Sequence, residues 1–299
     1  MPFAIPFPNI SPELFSLEIG NFTFALRWYA LAYIAAILIG WAIVRQAVKT
    51  PRLWADETPA MSPAQVEEMV TGIIIGIIVG GRLGYVLFYQ PSYYLQNPAE
   101  IIRIWEGGMA FHGGALGVFV AMALFFRKHR LPVLSGSDLV ALATPPGLLM
   151  GRLANFINGE LWGRPTDVPW GVIFPGPRAQ ACSGIDGLCA RHPSQLYEAG
   201  LEGLLLGVTL FWLTWSRGWL KTPGAVGGAF LAGYGFSRFF VEFFRVADEQ
   251  FITTDNPMGY VVMIGSGGVS MGQLLSIPMI VIGLVFIWRA RRRGVAASA

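Results

Sequence analysis

Charge is scarce in this chain. Asp, Glu, Lys and Arg make up 13% of its 299 residues, about half the roughly 25% of an ordinary soluble domain. With 54% hydrophobic residues and a mean hydropathy of +0.53, that scarcity excludes a soluble globular fold. Histidine is rarer still, at three residues. No His/Asp cluster is spaced to hold a metal, and neither a metal nor a cofactor is expected. No internal repeat, soluble domain or low-complexity linker is visible, so residues 1–299 read as one transmembrane domain. The first 26 residues lack Lys and Arg. No signal-peptide n-region is therefore visible, and the first helix is expected to be retained.

Long apolar runs take the place of charge. Stretches near 20 residues, enough to cross about 30 Å of hydrocarbon, fall at roughly 21–44, 67–89, 107–126, 137–157, 194–216, 223–245 and 271–288. The expected fold is an all-α integral membrane protein with seven transmembrane helices. Arg45, Lys49, Arg52, Arg127, Lys128, Arg130, Arg217, Lys221, Arg289, Arg291, Arg292 and Arg293 follow the first, third, fifth and seventh spans. The positive-inside rule puts those loops in the cytoplasm, the N-terminus outside and the C-terminus inside. The other nine basic residues are all arginine: Arg27, Arg82, Arg103, Arg152, Arg164, Arg178, Arg191, Arg238 and Arg245. Each lies in an outer loop or in a helix, mostly toward its outer end. The net charge of +3 says less than this split. No nucleic-acid partner is expected.

Three outer segments remain, at about 90–106, 159–193 and 246–270. The second is rich in Gly and Pro and holds β-like Val172, Ile173 and Phe174. It reads as a small irregular cap over the outer mouth, with room for a short hairpin. Residues 1–20, with Pro2, Pro6, Pro8 and Pro12, read as a surface arm. Residues 289–299 form a basic cytoplasmic tail. Cys182 and Cys189 lie in the cap. They either close a short disulfide loop, as an oxidising compartment favours, or are two unpaired small residues. A catalytic dithiol would prefer C-x-x-C spacing.

Residues 151–163, Gly-Arg-Leu-Ala-Asn-Phe-Ile-Asn-Gly-Glu-Leu-Trp-Gly, put charge at the end of the fourth span. Polar groups there are costly and usually have partners or substrates. Arg152, Asn155 and Gly159 share one helix face. A guanidinium offers a planar fork to phosphate, so Arg152 is a candidate anion ligand; the plain alternative is pairing with Glu160 or a carbonyl. In the sixth span Tyr234, Arg238, Glu242 and Arg245 share a face, spaced so that Glu242 can pair with both arginines. Two arginines against one glutamate leave charge for an anion, unless the group is a structural ion chain.

His112, in Gly-Gly-Met-Ala-Phe-His-Gly-Gly, can accept a proton near neutral pH or simply pack between helices. His129 reads as ordinary surface. Gln195 and Glu198 open the fifth span and are suited to orienting arginines, with Glu202 four residues on. Arg82, Tyr85 and Tyr29 complete an outer-leaflet ring, while Trp28 and Tyr89 fit an interfacial belt. Arg27, Arg82, Arg152, Arg238 and Arg245 lie in spans or at their ends. Each would cost about 2.5–3.5 kcal/mol at mid-membrane, a cost that one shared anionic ligand would explain.

Together these residues resemble the bacterial prolipoprotein diacylglyceryl transferase family. The likeness rests on 151–163 and on Arg-Trp-Tyr (27–29), Gly-Gly-Arg-Leu-Gly-Tyr-Val-Leu-Phe-Tyr (80–89) and Gly-Gly-Met-Ala-Phe-His-Gly-Gly (107–114). It continues through Arg-His-Pro-Ser-Gln-Leu-Tyr-Glu (191–198), Gly-Tyr-Gly-Phe-Ser-Arg-Phe-Phe-Val-Glu-Phe-Phe-Arg (233–245) and Ser-Met-Gly-Gln-Leu-Leu-Ser-Ile-Pro-Met (270–279). The resemblance implies a multi-pass enzyme of the bacterial inner membrane whose site faces the periplasm. Such an enzyme moves the sn-1,2-diacylglyceryl group of phosphatidylglycerol onto the lipobox cysteine of a prolipoprotein. A thioether forms and glycerol phosphate leaves, the first step of lipoprotein maturation. Family roles carry over onto Tyr29, His112, Arg152, Asn155, Glu160, Gly163, Tyr234, Arg238, Glu242 and Arg245; the arginine ring adds Arg82 as a substrate-binding candidate. Ala30 and Ala154 stand where glycine is common in the family, and 178–190 departs from its pattern. The implied partners are phosphatidylglycerol, a prolipoprotein signal peptide and membrane lipids, with the enzyme a monomer.

The chemistry of such a transfer divides the labour. His112 takes the thiol proton directly or through water, with an arginine-generated potential as the alternative activator. Arg152, Arg238 and Tyr234 act on the phosphate and headgroup with Asn155, while Glu160 and Glu242 hold arginines. Rival classes are a lipid or solute permease and a lipid-binding scaffold. Transport sits poorly with the missing repeat and with polar residues toward the outer side rather than the midplane. Basic side chains from several helices are thus expected to meet in one pocket, Arg152 and Arg238 together and His112 close to both.

Overall fold

The computed structural model describes residues 4–20, 22–182, 187–265 and 267–297, with side chains for all of these except 19, 22–24 and 293–297. Pro2 of the expected arm, residues 183–186 of the cap, and residues 298–299 with the Arg293 side chain of the tail lie outside the described residues. The elements begin with β1 (Ile5–Pro6), β2 (Glu13–Ile19), β3 (Phe22–Arg27), α1 (Trp28–Val48), α2 (Pro63–Phe88), α3 (Pro91–Gln96) and α4 (Phe111–His129). Then come α5 (Val133–Ile157), β4 (Val172–Ile173), α6 (Pro177–Gln180), α7 (Ser194–Glu198), α8 (Leu206–Trp215) and α9 (Ala225–Val241). The order closes with β5 (Val262–Ile264), β6 (Gly267–Val269) and α10 (Met271–Ala297). A π-helical stretch, Ala199–Leu205, joins α7 to α8.

Among the described residues, six helices are long and apolar enough to cross a membrane: Trp28–Val48, Pro63–Phe88, Phe111–His129, Val133–Ile157, Ser194–Trp215 and Met271–Arg292. Large apolar side chains on them, such as Phe119, Phe211 and Val281, are exposed. Contiguous apolar surface of this kind suits hydrocarbon rather than water. The protein is a multi-pass, mostly helical membrane protein. The expected sixth span, 223–245, folds as the shorter apolar helix Ala225–Val241. Gly224 (φ 91°) precedes it, and beyond Val241 the chain turns so that Arg245 bridges to Gly163.

The first span starts later than expected. Residues 22–27 pair antiparallel with β2, from Ile19↔Phe22 to Phe15↔Leu26, and Gly20 (φ 64°) opens the turn. The local pattern explains this. Phe15, Leu17 and Ile19 alternate with Ser16 and Glu18, a period of two rather than 3.6. Arg27 therefore stands on a strand, exposed, 3.4 Å from Glu13. The expected cap hairpin also differs: β4 pairs in parallel with β1, Ile5↔Val172 and Pro6↔Ile173. Within the cap, Val172 also exchanges two backbone hydrogen bonds with Arg191, each 2.9 Å, as an isolated antiparallel bridge, so the arm and the returning cap chain flank this short strand.

Two compact units are distinguishable, Val44–Ser137 and Met1–Ile43 with Asp138–Ala299. In the smaller one α2 packs on α4 through glycines. A Cβ on Gly117 would overlap the carbonyl oxygen of Gly76, and one on Gly80 that of Gly113; small residues here let the two backbones touch. Arg82 is buried on α2. It donates to the carbonyls of Ile101 (2.7 Å), Glu100 (2.7 Å), Gly107 (2.7 Å) and Gly108 (3.2 Å). His112 is exposed in the first turn of α4, its ring edge-on to Phe111.

In the larger unit α5 ends in a Schellman turn. Gly159 (φ 64°) donates to Phe156 O at 2.9 Å, and the Glu160 amide to Asn155 O at 3.1 Å; only a residue free of Cβ strain sits easily at that position. The cap then closes over Val172, Phe174 and Ala179, with Phe7, Phe156 and Trp162 packed against them. Arg191 ties it together, donating to the carbonyls of Ala179 (2.6 Å), Ala181 (3.2 Å) and Gly163 (3.3 Å) while lying 4.0 Å above the Trp162 ring. Cys182 and Cys189 form a disulfide, the first of the two alternatives.

Candidate active site

Glu198, the last residue of α7, is fully buried and collects three arginines from different stretches of chain. Arg152 Nε, from α5, lies 2.9 Å from one carboxylate oxygen. The other oxygen accepts from Arg238 Nη1 of α9 at 2.8 Å and from Arg245 Nη1 at 2.5 Å. Glu242 pairs with Arg238 Nη2, stands 3.2 Å from Arg245 Nε, and accepts from Ser270 Oγ at 2.8 Å. Charges buried this deeply are tolerated only when paired. Here three guanidiniums share two carboxylates. Glu202, in the π-helical stretch one turn on, is also fully buried, and neither of its oxygens has a hydrogen-bond partner among the described residues.

The start of α10 serves Glu242. Ser270 and Gln273 form a capping box, each side chain accepting from the other's backbone amide (3.2 and 3.1 Å), an arrangement that fixes the helix entry. A Cβ on Gly272 would overlap the Glu242 carboxyl, so this glycine makes room for the carboxylate. Ser270-Met-Gly-Gln273 carries a readable capping signature, whereas the role of Gly272 depends on a tertiary contact.

A second cluster lies on Glu160. Tyr29 Oη and Asn155 Nδ2 donate to its carboxylate at 2.7 and 2.9 Å, Asn155 also donates to Tyr29, and Gln195 Nε2 donates to its carbonyl at 2.5 Å. Glu160 therefore holds a tyrosine and an asparagine rather than the arginine expected of it. The turn at Gly159 folds the chain back over Asn155 and sets this pairing. Gly163 donates to His192 O at 2.8 Å, and a Cβ there would overlap Phe244 O. Its bare backbone seats the stretch that carries Arg245, with which it forms an isolated antiparallel bridge.

Next to the arginines lies a cavity of about 260 Å³. Tyr234, Arg238, Glu242 and Arg245 line one part of it, Leu275 and Met279 another. Tyr234 is stacked on Phe230, with ring centroids 5.8 Å apart. Arg152 and Arg238 thus meet as expected, joined by Arg245. All three guanidinium nitrogens of Arg82 are engaged by carbonyls in the smaller unit, which also carries His112. Glu198, expected only to orient arginines, is the hub.

Fold and site define a polytopic membrane protein with a buried arginine–carboxylate cluster beside an amphipathic cavity. The chain belongs to the prolipoprotein diacylglyceryl transferase family, whose profile matches residues 14–289. A phosphatidylglycerol–prolipoprotein diacylglyceryl transferase of Roseobacter denitrificans is 61% identical over 288 residues, 96% of this chain and 98% of its own. One from Ruegeria pomeroyi is 61% identical over 97% of this chain and 99% of its own. One from Agrobacterium fabrum is 47% identical over 96% and 94%.

Proposed function

We propose that this protein transfers the sn-1,2-diacylglyceryl group of phosphatidylglycerol to the thiol of a prolipoprotein lipobox cysteine. The observation that carries this reading is the convergence of Arg152, Arg238 and Arg245 beside a cavity with an apolar wall. A phosphate that bears acyl chains needs both. In the reaction the thiol gives up its proton and sulfur bonds to the glyceryl carbon. The bond from that carbon to phosphate oxygen breaks, and the electron pair leaves with glycerol phosphate.

His112 accepts the thiol proton, directly or through water. Arg152 and Arg238 bind the phosphate and stabilise the charge that grows on it, with Arg245 beside them. Glu198 and Glu242 aim these guanidiniums before the lipid arrives, which lowers the reorganisation the reaction requires. Asn155 and Tyr234 orient the headgroup; Tyr29 and Glu160 fix Asn155. Gly163 shapes the floor, and Arg82 orders the loop that leads to His112.

The chain crosses the bacterial inner membrane seven times, with N-terminus and site periplasmic and C-terminus cytoplasmic. It works as a monomer and as one catalytic domain over residues 1–299. At 1.5 Å per residue, the 17 residues of α9 rise about 25 Å, the short end of the spanning range. The distribution of Lys and Arg supports the orientation, and a cap disulfide suits an oxidising compartment. Purified protein, phosphatidylglycerol and a lipobox peptide test the function. The peptide should gain one diacylglyceryl group by mass spectrometry; an unchanged mass refutes the reading.

A further inference from the structure

Asp138 lies in the second turn of α5, fully buried, and spends both carboxylate oxygens on another helix. One accepts from the Gly224 amide and the other from the Gly227 amide, each at 2.7 Å. These amides open α9, where the first N–H groups have no partner within the helix. A carboxylate is favourable at such an end. The residue at the α9 N-cap is Gly224, which has no side chain to offer.

The spacing from this tie to the site is the same on both helices. Fourteen positions separate Asp138 from Arg152, and fourteen separate Gly224 from Arg238. At 1.5 Å per residue each leg is about 21 Å. Helices joined at their starts and measured off equally bring both guanidiniums to one depth, where Glu198 receives them. The fifth span lies between the two legs. A Cβ on Gly203 would press Leu149 of α5 at 2.6 Å, and one on Gly233 of α9 would press Leu206 at 2.7 Å. Apolar contacts of that kind resist separation but permit sliding, whereas two hydrogen bonds to specific amides do not.

We infer that Asp138 is a positioning residue of the transfer: its bonds to the start of α9 set the axial register in which Arg152 and Arg238 meet on one anion. This rests on the phosphate-binding role proposed above for those arginines.

Two variants and two readouts test it. Asp138→Asn keeps the size and one carbonyl acceptor; Asp138→Ala keeps neither acceptor. Spin labels on cysteines introduced at the exposed positions Leu153 of α5 and Phe236 of α9 report the register by pulsed EPR, without reference to catalysis. The distance distribution should shift or broaden in Asp138→Asn and more so in Asp138→Ala. With phosphatidylglycerol and a lipobox peptide, kcat per folded Asn variant should fall by about tenfold or more, because small misplacements of charge-stabilising groups are costly in the transition state. The KM for lipid should change by less than about threefold. Superimposable distributions and unchanged kcat per folded enzyme, with only a lowered melting temperature, would make Asp138 a plain helix cap and overturn the inference. If the Ala variant does not fold, the Asn variant decides. A wild-type enzyme that leaves the peptide unmodified would overturn the proposed function instead, and the label distances would still judge the register.

Discussion

Glu198 and Arg238, forty residues apart in sequence, are joined at 2.8 Å by a hydrogen bond between opposite charges. The carboxylate is wholly enclosed, and Arg152 and Arg245 share it. Removing it would leave Arg152 without its carboxylate and Arg238 and Arg245 with Glu242 alone. Glu198→Ala should therefore destabilise the protein by about 3–5 kcal/mol, the usual cost of orphaning a buried charge. Thermal unfolding in detergent measures this; an unchanged melting temperature would mean that the arginines find other partners.

Arg238→Ala should lower kcat/KM by roughly 10²–10³-fold, as the loss of a charge-stabilising donor does, while the protein still inserts into membranes. Arg238→Lys should recover only part of the activity, because an ammonium supplies charge without the two-pronged fork. Equal losses of insertion and turnover would instead favour a structural ion chain.

His112→Gln should slow the transfer by roughly 10²–10⁴-fold at neutral pH. Rates measured from pH 6 to 9 against wild type give the comparison. Near-normal turnover at pH 7 would remove His112 as the base and leave thiol activation to the arginines.

Gly117→Ala should force α2 and α4 apart and cost about 1–3 kcal/mol, in the range of overpacked cores. Gly72, one turn before Gly76 on α2, lies in open space, with nothing within 4 Å of an added Cβ. Gly72→Ala should leave the melting temperature unchanged. Equal shifts in both would show that helix propensity, not contact, governs this pair.

His192 packs beside Tyr197 and Phe244 in the cap, and burial holds its pKa below the usual 6.5. The unfolded chain therefore binds a proton more readily than the folded one. The stabilisation is complete above about pH 6.5 and is lost as pH falls through the folded value. Melting temperature should drop on acidification in this window, with a shallower slope in His192→Gln. Parallel slopes would place the acid sensitivity elsewhere.

Much of this was legible because hydrocarbon imposes simple rules on sequence. The apolar runs located the helices, and Arg238, Glu242 and Arg245 paired at the spacing a helix dictates. Reading failed where a partner came from far along the chain. Residues 22–27 are apolar enough to pass for membrane, and only their two-residue alternation separates strand from helix. The Val172–Ile173 strand looked like half of a local hairpin because nothing nearby in sequence announces Ile5–Pro6 as its partner. Glu160 misled for a similar reason: an acid beside an arginine on one helix invites pairing, but the turn at Gly159 aims it at Tyr29.

The pairing of Ile5–Pro6 with Val172–Ile173 also sets an order of assembly. The arm is translated well before its partner strand, which is made only after four of the long apolar segments have left the ribosome or begun to. At about 5–20 residues per second, those backbone groups wait on the order of ten seconds before they are matched. The cap is therefore a late closure that joins earlier chain to newer chain, and a substitution that disturbs Ile5–Pro6 should surface as slow maturation during synthesis before it surfaces as instability of the finished protein.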